Sequence, residues 1–154
     1  MSFKDIFNID FSAVSSAHAR VNLIGEHTDY TGGYVLPSLL NFKTTIQISK
    51  NDKKQYQVYS ENFKEQKDFT DFLKSKNNEW VDYIKGCLFV FYDENKHIPN
   101  THLNIFISSN IPMGRGISSS SALCVAVLKT LNSFFNTQYS KKHIAILAQK
   151  VERN

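Results

Sequence analysis

Residues 112–122 combine glycines and serines in an order that suits phosphate binding. The stretch reads PMGRGISSSSA, so Gly114 and Gly116 lie in a short loop and four consecutive serines follow it. Glycines let the backbone approach an anion closely, and the free N–H groups at a helix start carry partial positive charge. Serine hydroxyls donate to phosphate oxygens or bind Mg²⁺. The stretch therefore predicts a phosphate-binding loop.

The flanking residues place this loop between a strand and a helix. Upstream, Leu103, Ile105 and Ile107 alternate with polar residues, and an apolar run begins downstream at Leu123. No Gly-Lys-Ser/Thr closes the loop, which excludes a Walker A motif, and Ser119 replaces the third glycine of a dinucleotide fingerprint. The plainer alternative is a serine-rich N-cap on an ordinary helix.

A second stretch, residues 19–37, is dense in ionisable side chains. It reads ARVNLIGEHTDYTGGYVLP and contains Arg20, Glu26, His27 and Asp29. Carboxylates are strong acceptors for hydroxyl donors, which suits a polyhydroxyl substrate. Taken singly, the acids could form or cap a turn, His27 could be structural, and Arg20 could be a surface charge.

Both stretches resemble motifs of one kinase family. Residues 20–30 match the galactokinase signature R-x-N-L-I-G-E-H-x-D-Y at every position, and the continuation through Pro37 is also similar. Residues 112–120 resemble the P-x-G-x-G-[LI]-S-S-S loop of the GHMP kinases, which include galactokinase, homoserine kinase and the mevalonate kinases. Trp80 and Tyr83 fit the same family, so the resemblance spans nearly the whole chain.

The resemblance implies a reaction. Galactokinases of the Leloir pathway transfer the γ-phosphoryl group of ATP to the anomeric hydroxyl of α-D-galactose, giving galactose 1-phosphate. The implied ligands are therefore galactose, ATP and Mg²⁺. Phosphoryl transfer relies on positioning and charge neutralisation, which agrees with an arginine and a metal ion at the site.

The resemblance also implies residue roles. Arg20 corresponds to the arginine that stabilises the transition state, and Ser120 and Glu152 correspond to the Mg²⁺ ligands. The implied sugar-binding residues are Glu26, His27, Thr28 and Asp29. The implied ATP-binding residues are Gly114, Arg115, Gly116, Ile117, Ser118, Ser119 and Ser120.

The order of predicted elements indicates an α+β fold with helices on one face of a sheet. We predict strands over 14–24, 34–40 and 44–49, a return strand of a hairpin at 56–59, mixed loop and helix over 62–78, and a strand over 100–109. A short helix or an arm is predicted within 1–11, and helices are predicted over 80–91 and 118–135 and after a capping Ser140. The family resemblance implies the GHMP-kinase N-terminal domain, which is similar to domain 2 of ribosomal protein S5. Residues 1–154 then form an incomplete version of that single domain, without the ferredoxin-like C-terminal domain.

Four departures from the family pattern stand out. His18-Ala19 replaces Pro-Gly before the signature arginine, and Ala19 does not take a positive φ as freely as glycine. Ser121-Ala122 replaces Ala-Ser, with Cys124 where a glutamate is common, and Arg115 replaces a small residue. The family's catalytic aspartate follows the position of Glu152 in a G-I-M-D-Q motif that is not in this sequence.

The last predicted helix has no terminator, since the closing residues VERN contain neither glycine nor proline. We therefore expect a truncated chain whose final apolar face, Leu147, Ala148 and Val151, loses packing partners and frays. Because the presumed base is also missing, we expect the chain to be inactive alone. We expect the full-length protein to be a monomer.

Composition excludes several other classes. The net charge of +4 comes mostly from lysines scattered among acids and asparagines, which disfavours a nucleic-acid surface and favours small polyanions such as ATP. The N-terminus lacks a signal pattern and no apolar stretch approaches membrane-spanning length, so we expect a cytoplasmic protein without membrane contact. Cys87 and Cys124 lie in apolar runs and are predicted to be buried thiols in a reducing compartment.

Three other interpretations remain open at this point. The chain could belong to an N-acetylgalactosamine kinase or another sugar kinase of the family. It could belong to a galactokinase-like sensor that binds galactose and ATP and acts on a transcriptional repressor. It could also be a non-functional product of a split or truncated reading frame.

Overall fold

The computed structural model describes residues 1–25, 31–72, 79–112 and 118–153. Within these ranges the chain forms five strands and four helices. In chain order they are α1 (Phe3–Phe7), β1 (Ala13–Ile24), β2 (Leu36–Lys50), β3 (Tyr56–Ser60), β4 (Glu65–Phe69), α2 (Val81–Glu94), β5 (Leu103–Ser109), α3 (Ser119–Phe135) and α4 (Lys141–Arg153).

The strands form one mixed sheet in the order β1-β2-β5-β3-β4. The pair β3 and β5 is parallel, and the other neighbouring pairs are antiparallel. The register sets Ile46 opposite Ile107 and Ile48 opposite Ile105. Because side chains alternate along a strand, these four residues share one face of the sheet.

That face forms the main core with α2, α3 and α4, in agreement with the predicted α+β fold. Buried side chains from the sheet, such as Ile46 and Ile105, pack with Leu88 of α2, Leu128 of α3 and Leu147 of α4. The opposite face carries a smaller cluster, in which Phe3 of α1 packs on residues of β3 and β5. The three long helices therefore cover one face, and α1 covers part of the other.

Two strand predictions were wrong. The predicted hairpin between β2 and β3 does not form, because β5 lies between them and β3 pairs with β5 and β4. Residues 65–69 form β4, where the sequence predicts mixed loop and helix. This strand is polar because it is an edge strand that pairs only with β3, so its side chains are partly exposed. In addition, β2 runs unbroken from Leu36 to Lys50, where two extended segments are predicted.

The last helix begins at its predicted cap, but its apolar face packs differently from the expectation. The Ser140 hydroxyl accepts a hydrogen bond from the backbone N–H of His143 at 3.1 Å, which confirms the predicted cap. Leu147, Ala148 and Val151 are buried in the main core, so the expectation that this face lacks partners was wrong. The residues that cover it come from α2 and α3, whose periodicity alone does not show where they pack. None of the helices in the described part of the chain is long and apolar enough to cross a membrane.

Both cysteines are buried, as predicted. The Cys87 thiol on α2 approaches the backbone carbonyl of Cys124 on α3, with 3.8 Å between sulfur and oxygen. Burial raises the pKa of Cys87 well above its ordinary value. The two thiols therefore act as packing groups between α2 and α3.

Candidate functional site

The candidate site is centred on the start of α3, directly after the glycine-rich loop. Ser118 precedes the helix with φ 57° and ψ 43°, a left-handed conformation, and its carbonyl accepts from the Ala122 N–H at 3.0 Å. Its hydroxyl makes no capping hydrogen bond within the residues described. This disfavours the reading of the serines as an ordinary N-cap, and leaves first-turn N–H groups available to an anion.

Two serines of the first turn of α3 meet a carboxylate from the last turn of α4. The Ser120 hydroxyl donates to Oε1 of Glu152 at 2.8 Å, and the Ser121 hydroxyl lies 2.8 Å from Oε1 and 3.0 Å from Oε2. All three side chains are at the surface, where water and a ligand can reach them. The structure thus brings together the two residues predicted as metal ligands, which are 32 residues apart.

The donor set at this position fits Mg²⁺. Hydroxyl and carboxylate oxygens suit a hard cation that takes few protein ligands and completes its shell with phosphate oxygens and water. The part of the chain that the structure describes holds no group of three His, Cys, Asp or Glu side chains arranged for a metal. Among the described residues, Glu152 is the carboxylate at this position, which suits a cation that takes its other ligands from phosphate and water. Ser121 was not among the predicted ligands, because adjacent serines on a helix do not reveal which of them faces a distant carboxylate.

Ala19 ties β1 to the same end of α3. The register between β1 and β2 shifts between His18 and Arg20, and Ala19 at this shift is fully buried with Ile111 and Ala122. The backbone of Ala19 does not have a positive φ. Alanine therefore replaces the family's glycine here without backbone strain. Arg20, the next residue, is exposed opposite Leu39 of β2. The predicted transition-state arginine thus follows directly on a residue packed against the first turn of α3.

A cavity of about 220 Å³ adjoins the start of α3. It lies between the sheet, α2 and α3. Its wall includes an aromatic pair, Phe63 and Trp80, whose rings stack at 5.8 Å between centroids and 18° between planes. The lining residues are Thr44, Ser60, Asn62, Phe63, Trp80, Tyr83, Ile107, Ser109, Ile111, Ser119, Ser120 and Leu123. An aromatic wall beside a helix start whose N–H groups are available to an anion can stack a planar base.

Phe63 was missed by sequence reasoning. It lies in the polar segment 62–78, where no periodicity marks a buried face. Its contact with Trp80 depends on the pairing of β3 with β4 and on the position of α2, which are long-range features.

Several predicted site residues lie outside the described residues. These are Glu26, His27, Thr28 and Asp29 of the sugar-side stretch, and Gly114, Arg115, Gly116 and Ile117 of the phosphate loop. The described neighbours are Gly25, with φ 92°, at the end of β1, and Ser118 before α3. The roles of the undescribed residues stay predictions.

Two family models match this chain. The model of the GHMP kinases N terminal domain matches residues 82–154, and the model of the galactokinase galactose-binding signature matches residues 1–50. The chain is similar to the galactokinase of Pyrococcus furiosus, with 44% identity over 133 residues, covering 86% of this chain and 37% of that protein. It is also similar to the galactokinase of Streptococcus suis, with 31% identity, covering 99% of this chain and 40% of that protein. The chain thus spans about 37–40% of the length of the curated relatives it matches.

Solved structures of kinases are also similar to this chain. The galactokinase of Lactococcus lactis, complexed with galactose, superposes with a TM-score of 0.84 at 31% identity, covering 98% of this chain and 40% of that one. The mevalonate kinase of Methanococcus jannaschii superposes with a TM-score of 0.83 at 22% identity, which shows the shared fold alone. It covers 92% of this chain and 46% of the mevalonate kinase.

Proposed function

We propose that this chain, which matches the models of the GHMP kinases N terminal domain and of the galactokinase galactose-binding signature, takes part in ATP-dependent phosphorylation of α-D-galactose at the anomeric hydroxyl. The product is galactose 1-phosphate, and the pathway is the Leloir pathway. The observation that carries the proposal is the meeting of Ser120 and Ser121 with Glu152 beside an aromatic cavity. In our assignment, residues 112–122 bind ATP and residues 19–37 bind the sugar.

The nucleotide is assigned to the start of α3. The loop residues 114–117 and the serines Ser118, Ser119 and Ser120 hold the phosphates through backbone N–H groups and hydroxyls. The adjoining cavity takes the base, since Ser119 and Ser120 line both the helix start and that cavity. One ligand that spans phosphate loop and aromatic wall matches the shape of ATP.

Ser120 and Glu152 would hold Mg²⁺, with Ser121 orienting the carboxylate. When bound, the ion neutralises charge that develops on the transferred phosphoryl group. Glu152 is exposed and accepts hydrogen bonds from both serines, so a cation could take the place of those donors at the carboxylate without unfolding α4. Arg20 adds a second positive charge from β1.

The sugar is assigned to Glu26, His27, Thr28 and Asp29. Carboxylates accept hydrogen bonds from neighbouring hydroxyls of a sugar ring, and the galactose-bound relative from Lactococcus lactis supports galactose as the ligand class. These residues and those of the phosphate loop are proposed to bind and orient the two substrates.

The proposal is tested by binding and turnover on the purified chain of 154 residues. Calorimetry with galactose, glucose and N-acetylgalactosamine, each with and without Mg-ATP, measures the sugar preference. We expect binding of galactose and Mg-ATP, weaker binding of the other two sugars, and background ADP release in a coupled assay. No binding of either substrate would contradict the proposal. A preference for N-acetylgalactosamine would instead indicate an N-acetylgalactosamine kinase of the same family.

The sensor alternative is distinguished by the same assay on a longer form of the protein. A kinase converts bound galactose and Mg-ATP to galactose 1-phosphate and ADP. A sensor binds both ligands and releases no ADP.

A further inference from the structure

Trp80 stands immediately before α2, and its indole is held from outside the cavity by a carboxylate. The indole Nε1 donates to Oε2 of Glu65 at 3.1 Å. Glu65 is the first residue of β4, 15 residues earlier in the chain. The face of the indole meanwhile stacks on Phe63. The ring is therefore constrained both in its plane, by the hydrogen bond, and out of its plane, by the stack.

The carboxylate of Glu65 is itself fixed by a lysine. Lys67 Nζ lies 2.9 Å from Oε1 of Glu65 and 3.5 Å from Oε2 of Glu79. The two oxygens of Glu65 thus have separate partners, since Oε1 faces Lys67 and Oε2 accepts from Trp80. Glu79 precedes Trp80, so Lys67 links β4 to the segment that enters α2.

The charge of Lys67 and the hydrogen bonds to Glu65 both favour the ionised form of this carboxyl group. The hydrogen bonds from Lys67 and then Trp80 lower the pKa of Glu65 below its ordinary value. The carboxylate is therefore ionised at neutral pH and acts as an acceptor for the indole N–H. An ionised acceptor makes a stronger hydrogen bond than a neutral one.

We propose that Glu65, oriented by Lys67, is a positioning residue that holds Trp80 as the stacking wall of the nucleotide-base cavity. The inference rests on the proposed ATP binding at this cavity. A free indole at a cavity edge samples several rotamers, and ordering it costs free energy when a base binds. Glu65 fixes the ring before the base arrives, so its loss weakens the contribution of the base and leaves the phosphate contacts unchanged.

This mechanism predicts a ligand-specific effect. Stacking is tolerant of base identity because every base has a π-face, so Glu65 does not select adenine over other bases. It affects ligands that carry a base and spares those that do not. Mg-tripolyphosphate, which has the phosphates of ATP without the nucleoside, is the matched probe.

The test uses Glu65→Ala and Glu65→Gln in the 154-residue chain. Dissociation constants for Mg-ATP and Mg-tripolyphosphate are measured by calorimetry. We expect Glu65→Ala to weaken Mg-ATP by about three- to tenfold and to leave Mg-tripolyphosphate within about twofold of the parent. Glu65→Gln keeps an acceptor oxygen for the indole, so its loss is smaller than that of the alanine variant.

A spectroscopic readout accompanies binding. Trp80 is the single tryptophan of the chain, so intrinsic fluorescence reports on its indole alone. In Glu65→Ala without ligand we expect stronger acrylamide quenching and emission at a longer wavelength, because the ring is released toward water. Lys67→Met leaves the carboxylate in place and should give an intermediate change in quenching and in Mg-ATP binding.

The matched control is Asp93→Ala. Asp93 is another exposed carboxylate paired with a lysine, Lys96, at 3.6 Å, and it does not line the cavity. Its variant should match the parent in fluorescence and in both dissociation constants. If Glu65→Ala fails to fold, Glu65→Gln and Lys67→Met supply the same comparison.

The outcomes separate this inference from the proposed function. A parent chain that binds Mg-ATP more tightly than Mg-tripolyphosphate, with that preference unchanged in Glu65→Ala, overturns the positioning role alone. Equal losses for both ligands also overturn it, since they indicate general damage. A parent chain that binds neither ligand overturns the proposed function together with this inference.

Discussion

Ser121 donates its hydroxyl to the carboxylate of Glu152 across 31 residues of chain, at 2.8 Å from Oε1 and 3.0 Å from Oε2. Ser120 donates to Oε1 as well, so two consecutive serines hold one carboxylate at the start of α3. Glu152 follows Val151, which is buried in the main core. The backbone of Glu152 is thus anchored by packing while its side chain is oriented by hydroxyls.

We predict that Ser120→Ala changes the Mg²⁺ dependence of ATP binding. In the proposed site the variant would lose a direct oxygen ligand, so we expect a higher Mg²⁺ concentration to be needed for half-maximal binding. Ser118→Ala should weaken ATP binding without moving that midpoint, because its role is assigned to the phosphates. Calorimetric titration of ATP at several Mg²⁺ concentrations measures both. An unchanged midpoint in Ser120→Ala would exclude the ligand role.

Ser121→Ala separates orientation from ligation. It removes two hydrogen bonds to Glu152 and keeps Ser120, so we expect a shift of the Mg²⁺ midpoint in the same direction but smaller. A shift as large as that of Ser120→Ala would identify Ser121 as the metal ligand instead.

Gly86→Ala should destabilise the fold through α4. A Cβ at Gly86 of α2 would lie 2.8 Å from Cγ1 of Val151, and this β-branched side chain has little freedom to move. Overpacking costs about 1–3 kcal/mol, offset by about 1 kcal/mol of better helix propensity. Urea unfolding measures the net loss. Because Val151 adjoins Glu152, the Mg²⁺ midpoint should shift too.

A double-mutant cycle tests the cause of that loss. Val151→Ala removes the methyl that a Cβ at Gly86 would meet, so the double variant should be more stable than the sum of the two single losses predicts. Additive losses would show that the close approach of α2 and α4 is not the source of the destabilisation.

Asp29→Asn should impair sugar use far more than ATP binding. A carboxylate accepts from two hydroxyls, whereas an amide offers one acceptor and one donor. Losing a charge-assisted hydrogen bond costs about 1.5–3 kcal/mol, which is roughly a ten- to 150-fold loss in galactose affinity or kcat/KM. Asp93→Asn is the control on an exposed carboxylate elsewhere. An unchanged affinity for galactose would remove Asp29 from the sugar site.

Stability should fall at alkaline pH, in part through Cys87. Burial raises the pKa of this thiol in the folded state, whereas the unfolded thiol ionises near about 8.5. Below that pH both states keep the proton and the stabilisation is complete. Above it only the unfolded state loses the proton, so stability falls by up to about 1.4 kcal/mol per pH unit. Tyr56 and Tyr92, whose pKa values are also raised by burial, add to the fall above about pH 10.

Urea unfolding of the parent and of Cys87→Ala between pH 7 and 10 measures this dependence. The alanine variant should lose stability less steeply between about pH 8.5 and 10. Equal slopes would show that Cys87 does not contribute. In the native parent neither cysteine should react with a thiol reagent, because both are buried.

Features that depend only on residues close together in the chain could be predicted from the sequence. The helical periodicity of α2 and α3, the serine cap of α4 and the two motifs that resemble those of the kinase family are all local patterns. The pairing of Ser120 with Glu152 was also expected, but from family resemblance and not from any local pattern.

Only the tertiary structure decided which elements become neighbours. The pattern at residues 56–59 predicts a strand, but not that β5 inserts between β2 and β3. The polar pattern of β4 is explained only by its place at the sheet edge. The stack of Phe63 on Trp80 and the contact of Ser121 with Glu152 depend on those choices. The physical reason is that periodicity records burial, whereas strand order and helix docking are set by the combined packing of segments far apart in the chain.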